Sequence, residues 1–221
     1  MPVPASFPFA AVIFDMDGVI IDSEAHYQAE QRVFLDEFGI DVSDEELRKT
    51  VGNSHQDFQR TLASWLARIG RHFEPKAAEE FFDAWAVDYP HDWNALLNPG
   101  VPETVAALKQ RGVRVALASS SPLANITEVL DACGLAGMFE VVVSGEQFVQ
   151  SKPDPEIYLH TLELLGLRAE ECCCIEDSVP GITAGKAAGL TVFAKREERF
   201  GFSQDAADAI IDQVPDILRV E

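Results

Sequence analysis

From residue 113 onward the sequence alternates short apolar runs with longer helical stretches, and that rhythm leaves the chain few architectures. The apolar runs cover residues 113–118, 139–143, 172–175, 190–193 and, more faintly, 209–211. Proline and glycine punctuate the helical stretches. Pro102 opens and Gly112 closes one, Pro122 opens and Gly134 closes the next, and Gly166 and Gly189 end two more. Strands and helices alternating in this way predict an α/β fold with a doubly wound parallel sheet, a Rossmann-like core. One more apolar run, residues 10–14, stands near the start and ends in Asp15-Met16-Asp17-Gly18.

Residues 23–96 break the rhythm. They show no strand, only helical stretches over 23–38, 54–69 and 75–88, with a capping box expected at Ser43 and Glu46. Phe34, Leu35 and Phe38 recur at helical spacing. The expected organisation is therefore a core made of residues 1–22 and 97–221 and an inserted α-helical cap over 23–96, with hinges at 19–22 and 98–102. Residues 1–8 read as a Pro-rich leader without structure. Trp65, Trp85 and Trp93 fall in the insert and read as its core, whereas His72 and His91 read as solvated residues near helix ends.

At 221 residues the chain is long enough for a core domain with a smaller insert. Seventeen basic against thirty-seven acidic side chains give a net charge of −20. Such a surface repels phosphate backbones and anionic lipid, so neither nucleic acid nor membrane is expected as a partner. An anionic substrate would have to meet a local positive centre. No stretch approaches about 20 apolar residues, and the apolar run at 9–14 is too short for a signal peptide. Cys133 and the block Cys172, Cys173 and Cys174 read as small apolar side chains in a buried strand of a cytoplasmic protein. A monomer is expected.

Four short motifs carry the chemistry, each with a plainer alternative. Functional groups of open α/β sheets gather at the carboxyl ends of the strands. Asp15 sits at such an end, and in extended chain Asp15 and Asp17 face the same way. Two close carboxylates repel unless a cation lies between them, although Asp-x-Asp after a strand also describes a solvated turn. Glu176-Asp177-Ser178 follows the run at 172–175 and offers hard oxygen ligands suited to Mg²⁺, but it also reads as a helix N-cap. Ser119-Ser120-Ser121-Pro122 follows the run at 113–118 and leads into a helix, as an anion site or an ordinary serine cap would. Lys152, in Ser151-Lys152-Pro153-Asp154-Pro155, could offset phosphate charge or stand exposed in a loop.

Taken together and in this order, Asp-Met-Asp-Gly-Val, the strand-end serine, the Lys-Pro-Asp-Pro loop and Glu-Asp-Ser-Val-Pro-Gly resemble the haloacid dehalogenase-like superfamily. Within it, the likeness is to the branch of sugar-phosphate phosphatases and β-phosphoglucomutase, and it spans about residues 9–215. The resemblance implies Asp15 as the nucleophile that becomes an aspartyl-phosphate and Asp17 as general acid and base. It implies Ser119, Ser120 and Lys152 as phosphate-binding residues. Mg²⁺ would be held by Asp15, the main-chain carbonyl of Asp17, Asp177 and Glu176. An aspartate at position 17 also counts against the dehalogenase branch, which needs no protonating group there.

The implied activity is hydrolysis of a small phosphorylated metabolite, with a sugar phosphate as the expected substrate class. The runner-up is a phosphohexomutase, and a non-catalytic phosphometabolite binder comes after that. The mutase of this branch carries a histidine where this chain has Tyr27, with His26 one place early, and a cap arginine where this chain has His55. It also uses a lysine near the cap hinge, whereas no Lys or Arg occurs between Lys76 and Lys109 here. His55, opening a helix of the insert, is the expected substrate contact in the cap.

Overall fold

The computed structural model describes residues 7–51 and 55–220 and, of His55, the backbone alone. It divides into two compact units, residues 1–22 with 93–221 and residues 23–92. The larger unit is built on six strands: β1 (Ala11–Phe14), β2 (Arg114–Ser119), β3 (Val141–Ser144), β4 (Cys172–Glu176), β5 (Thr191–Lys195) and β6 (Ala209–Ile211). All pairings are parallel and the order is β3-β2-β1-β4-β5-β6. The chain winds outward from β1 to β3, then crosses back to start β4 on the other side of β1. That reversal opens a crevice at the carboxyl ends of β1 and β4.

Helices cover both faces of this sheet. In the chain order of the whole protein, the insert supplies α1 (Glu24–Phe38), α2 (Asp44–Arg48), α3 (His55–Ala67) and α4 (Pro75–Ala86). The larger unit supplies α5 (Val101–Gln110), α6 (Leu123–Ala132), α7 (Glu156–Leu165) and α8 (Val179–Ala187). Side chains alternate across a strand, so Ala11, Ile13, Ala116, Ala118, Cys172 and Cys174 share one face, buried with Ile157 and Leu162 of α7 and Ile182 of α8. All four cysteines are buried and free, in keeping with the apolar role expected of them. Among the described residues no helix is long and apolar enough to cross a membrane.

The strands differ from the apolar runs in one consistent way. Four of them, β2 to β5, continue one or two residues past the last apolar position, ending on Ser119, Ser144, Glu176 and Lys195. The parallel ladder needs only backbone groups, so pairing persists through Ser119↔Ser144 and Glu176↔Ala194 after hydropathy has stopped. Polar residues of a site are thus held on strands.

The helical unit packs Phe34 and Leu35 of α1, Leu62, Trp65 and Leu66 of α3, and Ala78 and Phe82 of α4 into one core, with Trp85 partly buried against it. Only half of the expected capping box forms. Ser43 Oγ accepts the Glu46 N–H at 3.2 Å, but the Glu46 carboxylate accepts from Trp65 Nε1 and from Arg68 instead of reaching back. His91 is not a solvated residue: it stands 2.8 Å from His26 Nε2 through its Nδ1. Trp93 belongs to the larger unit, where its Nε1 donates to Glu128 and its carbonyl accepts from Cys133 Sγ.

Candidate active site

Strand register assembles the site. Phe14 pairs with Ile175 across β1 and β4, so one residue further along stand Asp15 and Glu176, followed by Asp177. The Asp15 N–H donates to the Ile175 carbonyl at 3.0 Å and fixes the carboxylate's starting point. Lys152 reaches in from the loop before α7. Its Nζ donates to Asp15 Oδ1 at 2.7 Å, to Glu176 Oε1 at 2.7 Å and to the Ala118 carbonyl at 3.1 Å. Lys152 is 6% exposed and Glu176 0%, so this is a buried charged group and not the exposed loop lysine of the plainer reading.

The turn after β1 depends on Gly18. Its φ is +78°, and an added Cβ would lie 1.9 Å from Asp177 Oδ2. Glycine adopts that backbone without strain, and only the absence of a side chain lets the Asp177 carboxylate come so close. Asn98 closes the turn from the other crossing of the chain, its Nδ2 donating to the carbonyls of Gly18 at 3.1 Å and Val19 at 2.9 Å. Asp17 is half-buried and accepts from Ser121 Oγ at 2.8 Å. Ser119, at the end of β2, is fully buried, and its Oγ accepts the Ser121 N–H at 3.0 Å. Ser120 lies beside Ser151, whose Oγ donates to it at 3.3 Å.

The electrostatics follow from this crowding. Burial and the neighbouring Glu176 charge push the Asp15 carboxyl up to about 8, against the opposing pull of Lys152. Burial works against the Lys152 ammonium, yet Asp15 and Glu176 outweigh it and hold the lysine charged. The ammonium contacts Asp15 and Glu176, and one oxygen from each of the three buried carboxylates, Asp15, Glu176 and Asp177, lies within 4.8 Å of the others. This donor set fits Mg²⁺. It is made of hard oxygens, its three carboxylates are buried together, and the missing Cβ of Gly18 gives the Asp177 carboxylate room to join them.

One residue of the site carried no signal in the sequence, and another carried a different one. Tyr158 of α7 is fully buried and donates its hydroxyl to Glu176 Oε1, while the Lys152 ammonium lies 5.1 Å from its ring centroid. Burial raises the phenol further above its ordinary range, so it stays a donor. Ser121 was legible only as part of a serine cap; its partner Asp17 is 104 residues away. Asp15, Asp17, Ser119, Lys152, Glu176 and Asp177 all come to the carboxyl ends of the central strands. The His55 side chain lies outside the described residues.

This set of strand-end groups can be compared with known proteins. The family model for haloacid dehalogenase-like hydrolases matches residues 9–189. The chain belongs to this family. As a haloacid dehalogenase-like hydrolase it is 36% identical over 184 residues to hexitol phosphatase B of Escherichia coli, covering 81% of this chain and 80% of that one. It is 33% identical over 187 residues to Protein SUPPRESSOR OF QUENCHING 1 of Arabidopsis thaliana, but there the match spans 84% of this chain and only 18% of the relative. A crystal structure from Thermotoga maritima, provisionally named a β-phosphoglucomutase, superposes with a TM-score of 0.74 at 29% identity, covering 95% of this chain and 96% of the other.

Proposed function

We propose that this hydrolase is a Mg²⁺-dependent phosphatase that removes the phosphoryl group of a small phosphorylated metabolite, a sugar phosphate, through an aspartyl-phosphate on Asp15. The observation that carries the reading is the lysine bridge: one buried ammonium holds Asp15 at the end of β1 and Glu176 at the end of β4, with Asp177 alongside. The sugar-phosphate class rests on the likeness to hexitol phosphatase B and, at 34% identity, to a phosphorylated carbohydrates phosphatase of Thermotoga maritima.

The roles are those the family resemblance implies, and the grouping of these residues at the strand ends supports them. Asp15, Asp177, Glu176 and the Asp17 carbonyl would hold Mg²⁺, which would supply charge neutralisation for the transferred phosphoryl group. An Asp15 carboxylate oxygen attacks phosphorus as the bond from phosphorus to the substrate oxygen breaks, and Asp17 gives its proton to that leaving oxygen. Asp17 then takes a proton from water, whose oxygen attacks the aspartyl-phosphate and releases inorganic phosphate with Asp15 restored. The Ser121 hydroxyl holds Asp17 in place for both proton transfers. Lys152, Ser119 and Ser120 bind the transferred group, since phosphoryl transfer depends on positioning and charge neutralisation above all.

Asp15→Asn keeps the volume and removes the nucleophile. Turnover of p-nitrophenyl phosphate should fall more than a hundredfold, a barrier increase above about 2.7 kcal/mol, with the circular dichroism spectrum unchanged. A smaller loss rules out covalent catalysis by Asp15. A second reading, transfer to another hydroxyl of the same sugar, is favoured by the Thermotoga maritima structure. β-Glucose-1-phosphate separates the two: release of inorganic phosphate supports the phosphatase, and conversion to glucose-6-phosphate supports the mutase.

A further inference from the structure

The ladder between β4 and β5 ends at Glu176↔Ala194. One residue further on, Asp177 and Lys195 lie beyond the last backbone rung, and a side chain from elsewhere takes over there. Gln204, in the segment between β5 and β6, is 6% exposed. Its Nε2 donates to the Asp177 carbonyl at 2.6 Å and to the Lys195 carbonyl at 2.7 Å, and its Oε1 accepts the Glu197 N–H at 3.1 Å. The amide orientation is settled by its partners: a flipped amide would aim an acceptor at two carbonyls and a donor at an N–H.

We propose that Gln204 is a positioning residue for the metal-binding aspartate, extending the sheet by one side-chain rung so that Asp177 enters the site at a fixed backbone angle. This rests on Asp177 being a Mg²⁺ ligand, as read above. Asp177 sits between two constraints. Before it, Glu176 is paired in β4; after it, Ser178 caps α8, its Oγ accepting the Gly181 N–H at 3.1 Å. The Asp177 carbonyl between them is held by Gln204, and the direction of its carboxylate toward Gly18 follows from that backbone.

The segment carrying Gln204 is itself anchored. Arg199 donates to both oxygens of Asp22, at 2.9 and 2.7 Å, and through Nε to Glu197, whose N–H meets Gln204. Hydrogen bonds thus run without a break from Asp22 through Arg199, Glu197 and Gln204 to Asp177. The Arg199–Asp22 pair is about half exposed, so it contributes little. The buried amide matters more, because removing it strands the carbonyls it serves.

The test uses the full chain and two variants, Gln204→Leu, which deletes the rung, and Gln204→Glu, which keeps its shape but loses the donors. Mg²⁺ affinity is measured without substrate by isothermal titration calorimetry at pH 8, and melting temperature with EDTA and with Mg²⁺. Both variants should bind Mg²⁺ about tenfold or more weakly, the scale seen when outer-shell partners of metal sites are lost. The rise in Tm on adding Mg²⁺ should shrink, and activity should recover to within a few-fold at saturating Mg²⁺. If the variants melt earlier in EDTA yet bind Mg²⁺ like the wild type, Gln204 is merely structural and the proposal fails. If Leu does not fold, Glu alone decides. Asp177→Asn is run in parallel: wild-type Mg²⁺ affinity in that variant removes Asp177 from the metal shell and overturns the reading beneath the proposal.

Discussion

Lys152→Met keeps most of the apolar stem and deletes the ammonium that donates to Asp15, Glu176 and the Ala118 carbonyl. Both carboxylates are then left buried without it. A hydrogen bond to a charged group contributes about 1.5–3 kcal/mol, and stripping one partner from a buried ion pair costs about 3–5 kcal/mol. The two acids share one cation, so their losses overlap and do not add; the whole effect is set at about 3–5 kcal/mol. Domains of this kind are stable by about 5–15 kcal/mol, so the variant should fold but sit near its limit.

The loss should also depend on pH, and its sign is fixed. Burial and the mutual repulsion of the acids already favour the protonated form of Asp15. Without the ammonium, which pulls its pKa down, Asp15 takes up a proton more readily still, and a protonated acid escapes most of the cost of an unpaired buried charge. Urea unfolding in EDTA should therefore show a larger loss at pH 8 than at pH 5, with m-values unchanged. Adding Mg²⁺ at pH 8 should restore part of it. A loss below about 1 kcal/mol at pH 8, or a larger one at pH 5, refutes the account of the lysine as the charge that holds the site together.

Two further outcomes test the electrostatics and the turn. In metal-free protein the Asp15 pKa is raised from 3.8 to about 8; this group's contribution to stability is full below about pH 4 and is lost as pH rises through 8. Melts in EDTA should then show the wild type losing ground to Asp15→Asn between pH 5 and 8, and Mg²⁺ binding at pH 7 should release close to one proton, read by calorimetry in two buffers of different ionisation enthalpy; no proton release contradicts the raised value. Gly18→Ala forces a Cβ into the Asp177 carboxylate at 1.9 Å and onto a backbone with φ of +78°, so it should weaken Mg²⁺ binding at least tenfold and cost about 1–3 kcal/mol of stability; a variant with wild-type metal affinity shows that the turn tolerates a side chain.

What the sequence determined by itself was everything that acts over a few residues. Proline and glycine set the helix ends: Gly166 caps α7 with φ of 63°, and Pro102 starts α5. The apolar runs marked every strand, and acidic or basic residues at their ends marked the site. Tertiary structure decided what depends on register and on partners far along the chain. Hydropathy ends where the polar site begins, so the last residues of β2 to β5 were invisible until backbone pairing carried them through. His91 found His26 across 65 residues and Glu46 turned from its cap to Trp65 and Arg68. Tyr158, Ser121 and Gln204 have ordinary local surroundings in sequence. They become parts of the site only because a parallel ladder brings Asp15, Ser119 and Glu176 to one edge, and the low dielectric there makes each buried polar group demand a partner.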